Sequence, residues 1–159
     1  MQQAPMNGTA TGAVYVQTNA APNEVIAFRR AGGGSLDRIG SVATGGDGEG
    51  SPHLTSQGSV ALTRDGRHLL VTNAASDDLS VFSVAADGSL SLEDATAGIA
   101  VDGKPGLRDE DLSSDGRFLY AIDADDGRIY GWSVDAEGSL EPVGSWDGLP
   151  ATVAGLAAS

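Results

Sequence analysis

Cysteine is absent from the 159-residue sequence, which excludes disulfides, thiolate metal ligands and a cysteine nucleophile. Only two histidines occur, His53 and His68, so a three-histidine zinc site cannot be assembled within one chain, and no metal is expected. Basic residues are scarce: 9 stand against 22 acidic ones, a net charge of -13 that repels phosphate backbones and excludes nucleic acid as a partner. No apolar run approaches the ~20 residues needed to span a bilayer, so no membrane association is expected. Residues 1–10 have neither a basic start nor an apolar segment; no secretory signal is read, and a cytoplasmic location is the expectation. A Gly-x-Ser-x-Gly elbow, a phosphate loop and a dinucleotide fingerprint are all missing, so no cofactor is expected. No stretch of roughly eleven residues or more keeps a helical period without a glycine break. What is abundant is glycine, at 23 residues, and hydrophobics at 40%, enough to build a core despite the charge.

The chain repeats itself. Gly12-Ala13-Val14-Tyr15-Val16-Gln17-Thr18-Asn19-Ala20 matches Gly66-Arg67-His68-Leu69-Leu70-Val71-Thr72-Asn73-Ala74 and Gly116-Arg117-Phe118-Leu119-Tyr120-Ala121-Ile122-Asp123-Ala124. Each is followed by a second apolar run with an aromatic at the same place, Phe28, Phe82 and Trp132, and then by Gly-Ser-Leu at Gly34, Gly88 and Gly138. Both landmarks give the same spacing, 54 residues and then 50. The runs are short, rich in Val, Ile, Tyr and Phe, and bounded by Asp-Gly and Gly-Ser turn chemistry, which predicts strands. Four strands fall in the second unit (59–63, 68–73, 79–84, 89–94) and four in the third (111–114, 118–123, 128–134, 139–145). Four antiparallel strands in a repeat of about 40–50 residues predict an all-β fold built of β-propeller blades.

Residues 1–11 are polar and contain Pro and Gly, so they are expected to form a flexible segment ahead of a half-propeller over 12–159. The first blade takes its strands from 12–44 and lacks a partner before Gly12. Residues 152–159, apolar and isolated, are expected to complete it as a fourth strand, within the chain or exchanged between two chains, removing two exposed edges. The second blade covers about 58–96 and the third about 109–146. Three four-stranded blades cannot close a ring, since propellers close with ~4–8 blades. Two copies give six, so the chain is expected to pair with itself as a homodimer forming one six-bladed propeller. A trimer of nine blades is the lesser variant.

The strings Tyr15-Val16-Gln17-Thr18-Asn19 and Leu70-Val71-Thr72-Asn73 resemble the YVTN type of propeller repeat. The turns Thr63-Arg64-Asp65-Gly66-Arg67 and Ser113-Ser114-Asp115-Gly116-Arg117 resemble the Ser-Pro-Asp-Gly-Arg turn of the same family. With the Gly-Ser-Leu landmarks they are similar to the lactonase-type propellers related to 6-phosphogluconolactonase. The resemblance touches all three repeats. It implies hydrolysis of lactones, on a scaffold that in the family has seven blades.

Ligands of propellers gather at one channel mouth, where connections enter the innermost strands. Here these connections are 45–58, 98–110 and 148–153. They offer His53, Arg108 and Glu110 as catalytic candidates: a general acid or base near neutral pH, a clamp for a carboxylate or leaving alkoxide, and an activator of water. Thr55, Gln57 and Asp109 are the candidate ligand-binding residues beside them. The same side chains also suit an ordinary loop role, satisfying carbonyls and neighbouring acids. His68 occupies a position held by Phe118 in the next repeat, which points to packing. The acids of Asp123-Ala124-Asp125-Asp126-Gly127 coincide with a repeated turn, as do Asn19 and Asn73. Two functional classes remain open: a self-assembling scaffold or binding module, with a small molecule or sugar as possible ligand, and a hydrolase of cyclic esters.

Overall fold

The computed structural model describes residues 10–52, 56–95, 106–150 and 152–159. The fold is all-β; no helix occurs among the described residues. The strands are β1 (Ala10–Gln17), β2 (Glu24–Ala31), β3 (Leu36–Ala43), β4 (Val60–Leu62), β5 (His68–Asn73), β6 (Asp78–Val84), β7 (Leu90–Asp94), β8 (Leu107–Leu112), β9 (Phe118–Asp123), β10 (Arg128–Val134) and β11 (Leu140–Asp147). They form three antiparallel sheets, ordered β1-β2-β3, β4-β5-β6-β7 and β8-β9-β10-β11, the arrangement of a partial β-propeller.

Asp-Gly turns set the hairpins. Asp65 Oδ1 accepts from the Arg67 amide (3.0 Å) and from Thr63 Oγ1 (2.8 Å), while Gly66 takes φ 70°, a conformation nearly reserved for glycine. Asp115 and Gly116 repeat the device between β8 and β9.

Packing between sheets explains the strand compositions. The second sheet is covered on both faces, so every residue of β5 is buried. Its side chains alternate in direction: Leu69 and Val71 pack with Phe82, Val25 and Ala27 toward the first sheet, whereas Leu70 packs with Leu79, Val81, Leu119 and Trp132 toward the third. Phe82 and Trp132 are fully buried, each facing the preceding sheet, and each stabilises the joint by roughly 2–3 kcal/mol. Polar ties cross the same joints: Tyr15 Oη donates to Gly88 O (3.0 Å), and Arg64 Nη1 to Ser114 O (2.6 Å).

Both outer faces carry apolar side chains. β1 pairs with β2 as Tyr15↔Ala27, one residue out of step with the repeat-equivalent Leu69↔Phe82 pairing. A one-residue slip exchanges the faces of a strand. Tyr15 therefore points inward, and Val14 and Val16 share the open face with Ile26 and Phe28, their cross-strand partners. Val16 is 47% exposed. The opposite face of the third sheet carries Tyr120, Ile129 and Trp146, the last also 47% exposed.

Two differences from the sequence reading concern the first and third sheets. Among the described residues the first sheet has three strands. Residues 152–159 do not pair with β1 within the chain: the described ones form no strand, and they lie on the third sheet instead. Their Gly155 and Ala158 amides bond Asp109 Oδ2 (2.7 Å) and Asp111 Oδ2 (2.9 Å), and Leu156 and Ala157 share a cleft with Tyr120, Ile129 and Trp146. Carboxylate acceptors and an apolar surface nearby outcompete a distant strand edge. The innermost strand of the third sheet begins at Leu107, so Arg108, Asp109 and Glu110 sit in β8, not in the connection before it. Of the expected flexible segment, residues 1–9 lie outside the described residues, and β1 already includes residues 10 and 11.

Candidate functional site

The chemistry-bearing residues gather where the β1–β2 turn, the 44–58 connection and β8 meet. Asn19, at φ 54°, organises this corner. Its side-chain oxygen accepts from the Glu49 amide (3.0 Å), its amide nitrogen donates to Ser51 O (2.8 Å), and its carbonyl accepts from Gly50 N (2.9 Å). Asn and Asp tolerate the left-handed region, which is why Asn can hold this position. The loop lies so close that a Cβ on Gly48 would stand 2.4 Å from the Asn19 carbonyl carbon.

A polar cleft of about 700 Å³ opens beside this corner, lined by Gln17, Asn19, Ser51, Pro52, Ser56 and Ser59 among others. Gln17 Nε2 donates to Thr72 O in a short bond, and Ser56 Oγ to Asp109 Oδ1 (2.9 Å), which fixes two of the lining residues to neighbouring strands. Arg108 lies one bond behind the lining. Its carbonyl accepts from Ser56 Oγ (3.3 Å) and Thr72 Oγ1 (3.1 Å), and Nη2 stands 3.5 Å from Glu49 Oε1 and 3.6 Å from Asp125 Oδ1. A guanidinium thus bridges acids from the 44–58 connection and the β9–β10 turn, behind the lining of the cleft.

Asp109 follows in β8 and is buried. Oδ1 accepts from Ser56 Oγ, Gln57 N (2.5 Å) and Gly58 N (2.9 Å), while Oδ2 accepts from Gly155 N. Burial alone would raise this carboxyl, but the combined donation from Gly58, Gln57, Ser56 and Gly155 holds it below the ordinary aspartate value. Every strong acceptor direction is occupied, so Asp109 acts as a clamp between the second sheet, the third sheet and the terminal segment.

Glu110 is buried too, its amide bonded to Gly58 O (2.6 Å). Burial pushes its carboxyl well above the ordinary glutamate range, with Asp111 and Asp109 adding to the effect. Its environment therefore favours the neutral acid, and it is not part of the cleft lining. Among the sequence candidates, the structure brings Arg108, Asp109 and the Gln57 backbone together, with Ser56 bonded to both Arg108 and Asp109; the Gln57 side chain is exposed beside Gly155. His53 and Thr55 lie outside the described residues. His68 is 6% exposed, packed beneath Gly138, with Nε2 4.0 Å from Glu93 Oε2. The Asp123 carboxylate accepts from the amides of Asp125 and Asp126 (both 2.9 Å), closing its own turn.

Sequence reasoning missed Glu49, Asp125, Asn19 and Ser51. Glu49 sits in a glycine-rich run that reads as a solvated loop, and only the packing of that loop on Asn19 carries it to Arg108. The repeat held one usable signal: Asn19 shares its position with Asn73 and Asp123.

No curated protein sequence matches the chain. Among solved structures, a protein from Lactobacillus plantarum superposes with a TM-score of 0.67 at 22% identity, over 86% of this chain and 39% of that one. A protein from Bacteroides fragilis, provisionally named as a 6-phosphogluconolactonase, gives 0.65 at 25% identity over 87% and 36%. The periplasmic gluconolactonase of Pseudomonas aeruginosa gives 0.65 at 20% identity over 92% and 42%. The chain thus spans 36–42% of the length of these three structures. The model of the lactonase family of seven-bladed β-propellers matches residues 12–154, and the chain belongs to that family.

Proposed function

We propose that the chain supplies the substrate mouth of a lactone hydrolase, acting on cyclic esters of polyhydroxy acids. The observation that carries this reading is the family match over 12–154, which spans the polar cleft and the Arg108–Glu49 pair behind its lining. Neutral hydroxyl and amide groups from Gln17, Asn19, Ser56 and Ser59 suit a sugar-like ligand, and a guanidinium suits an ester carbonyl acquiring negative charge. In this mechanism Arg108 draws electron density onto the carbonyl oxygen while Glu49 accepts a proton from water. The hydroxyl adds to the carbonyl carbon, the ring C–O bond breaks, and the departing alkoxide takes the proton back, giving the open hydroxy acid. His53 remains a candidate for the proton transfer, with Thr55 and Gln57 as ligand contacts. Glu110 is left out of this scheme because it is buried away from the cleft. Titrating acid release from D-glucono-1,5-lactone tests the proposal: Arg108→Ala and Glu49→Gln should each lower kcat/KM by about a hundredfold. No turnover above buffer, or turnover untouched by both changes, overturns it.

The apolar outer faces favour a second reading, in which another copy completes the ring. Val14, Val16, Ile26 and Phe28 on one face and Tyr120, Ile129 and Trp146 on the other are apolar surfaces of the kind that adjacent blades bury. Two copies joined head to tail close six blades, with the described scaffold as the repeating part. Light scattering at micromolar concentration should give twice the chain mass. A folded species at the single-chain mass throughout that range overturns this reading.

A further inference from the structure

The two joints between sheets are built on equivalent residues with different chemistry. Asn23 of the first sheet's turn and Asn73 at the end of β5 meet at the first joint, where Asn23 Nδ2 donates to Asn73 Oδ1 (2.8 Å). Both are fully buried. The positions 54 and then 50 residues further along are Asp77, on the β5–β6 turn, and Asp123, at the end of β9. An amide pair at the first joint is thus a carboxyl pair at the second. Asp77 is 6% exposed and Asp123 is fully buried.

An asparagine pair satisfies itself because each amide carries donors and an acceptor, whereas two carboxylates carry acceptors alone. Asp77 Oδ1 accepts from Leu107 N (3.3 Å), and Asp123 Oδ1 from the amides of its own turn. Oδ2 of each is buried and has no hydrogen-bond partner. Both side chains flank the start of the innermost strand of the third sheet: Leu107 pairs with Asp123 across β8 and β9 and donates to Asp77. The titratable and charged groups around them are Asp78 on the same turn, Asp125 and Asp126 on the β9–β10 turn, Arg108 on β8, and on β10 Tyr130 and Arg128, the latter cross-strand from Asp123 and bonded to Asp147. Arg108 is directed at Asp125 and Glu49.

We propose that Asp77 and Asp123 share one proton across the joint between the second and third sheets, so that this joint is a pH-sensitive counterpart of the Asn23–Asn73 amide bond. Burial first, then the Asp123 charge, lifts Asp77 to about 7, and burial lifts Asp123 as well. Two ionised carboxylates at one buried joint oppose each other, and a proton held on one of them removes that repulsion. When the proton leaves, the strain falls on Leu107, whose neighbour is Arg108. The joint therefore weakens toward alkaline pH at the edge of the cleft.

The sign follows from linkage. Above pH ~4 the unfolded chain has released these protons, whereas the folded chain retains one until about pH 7, so stability falls as pH rises through that window. Denaturant unfolding of the full chain should show a folding constant that drops about a hundredfold between pH 5 and pH 8. Asp77→Asn removes the titrating group; this variant should lose the hundredfold share that Asp77 contributes, keeping what buried Glu110 contributes, and exceed the wild type at pH 8. Asp123→Asn serves as the second variant. Infrared spectroscopy of the folded wild type gives an independent readout, a protonated carboxyl band at pH 6 that both variants diminish. Parallel pH profiles for wild type and Asp77→Asn overturn the proposal. So does stabilisation of the wild type, but not Asp77→Asn, by millimolar calcium at pH 8, which would make the joint a cation site.

Discussion

Removing the Asp109 carboxylate provides the sharpest test of how the sheets and the terminal segment are held together. Four donors converge on it: Ser56 Oγ, Gln57 N, Gly58 N and Gly155 N. Hydrogen bonds to a charged acceptor contribute about 1.5–3 kcal/mol each, yet they are not additive, and water reaches the exposed Gln57 once the carboxylate is gone. Releasing a buried charge also offsets part of the loss. The net cost of Asp109→Ala is therefore about 3 kcal/mol, a fall in Tm of roughly 6–12 °C for a domain of this size. Asp109 has a folded value below its unfolded one, so its stabilisation is present above the unfolded value and disappears as pH falls through the folded value. The gap between wild type and variant should be complete at pH 7 and close at strongly acid pH. Asp109→Asn separates the two jobs of the residue. Its amide oxygen can still accept on the second-sheet side, but its NH2 confronts Gly155 N, so hydrogen exchange at Gly155 should accelerate while the loop at Gly58 stays protected. Calorimetry at pH 7 showing Asp109→Ala within about 2 °C of wild type would refute the clamp.

Asn73→Ala should cost about 2–4 kcal/mol in urea unfolding, because Asn73 accepts from Asn23 Nδ2 and Thr44 Oγ1 and donates to Asp78 Oδ1 and Ser80 Oγ, leaving several buried groups without partners. Glycine replacements should split by what surrounds them. Gly138→Ala, at φ 82° with a Cβ that would stand 2.7 Å from the His68 ring, should cost roughly 2–3 kcal/mol, whereas Gly34→Ala, at φ 86° in open space, should cost only about 1 kcal/mol on the same urea curves.

The repeat was legible because packing between blades imposes it residue by residue. Phe82 and Trp132 stand at equivalent positions since each fills the joint with the sheet before it, and the Asp-Gly turns recur because the same hairpin needs the same positive φ. Strands β5, β6, β9 and β10 are bounded by those signals and could be placed from them. β8 could not, because Arg-Asp-Glu-Asp has a loop's composition. Asp109 is held there because Gly58, Gln57 and Gly155 arrive from elsewhere in the chain to donate to its carboxylate.

The amino-acid sequence by itself determined an all-β chain of blade repeats, the absence of cysteine chemistry and a family likeness, since these follow from period, turn residues and composition, which are local. Tertiary structure alone decided which acids are clamps, which face the cleft and which must share a proton. It carried Glu49 to Arg108, laid residues 152–159 on the third sheet, slipped β1 by one residue, and set Asp77 and Asp123 at a joint where Asn23 and Asn73 had stood before. Each of these depends on long-range approach and on burial, and a carboxylate's chemistry is set by the donors and the water around it, not by its neighbours in sequence.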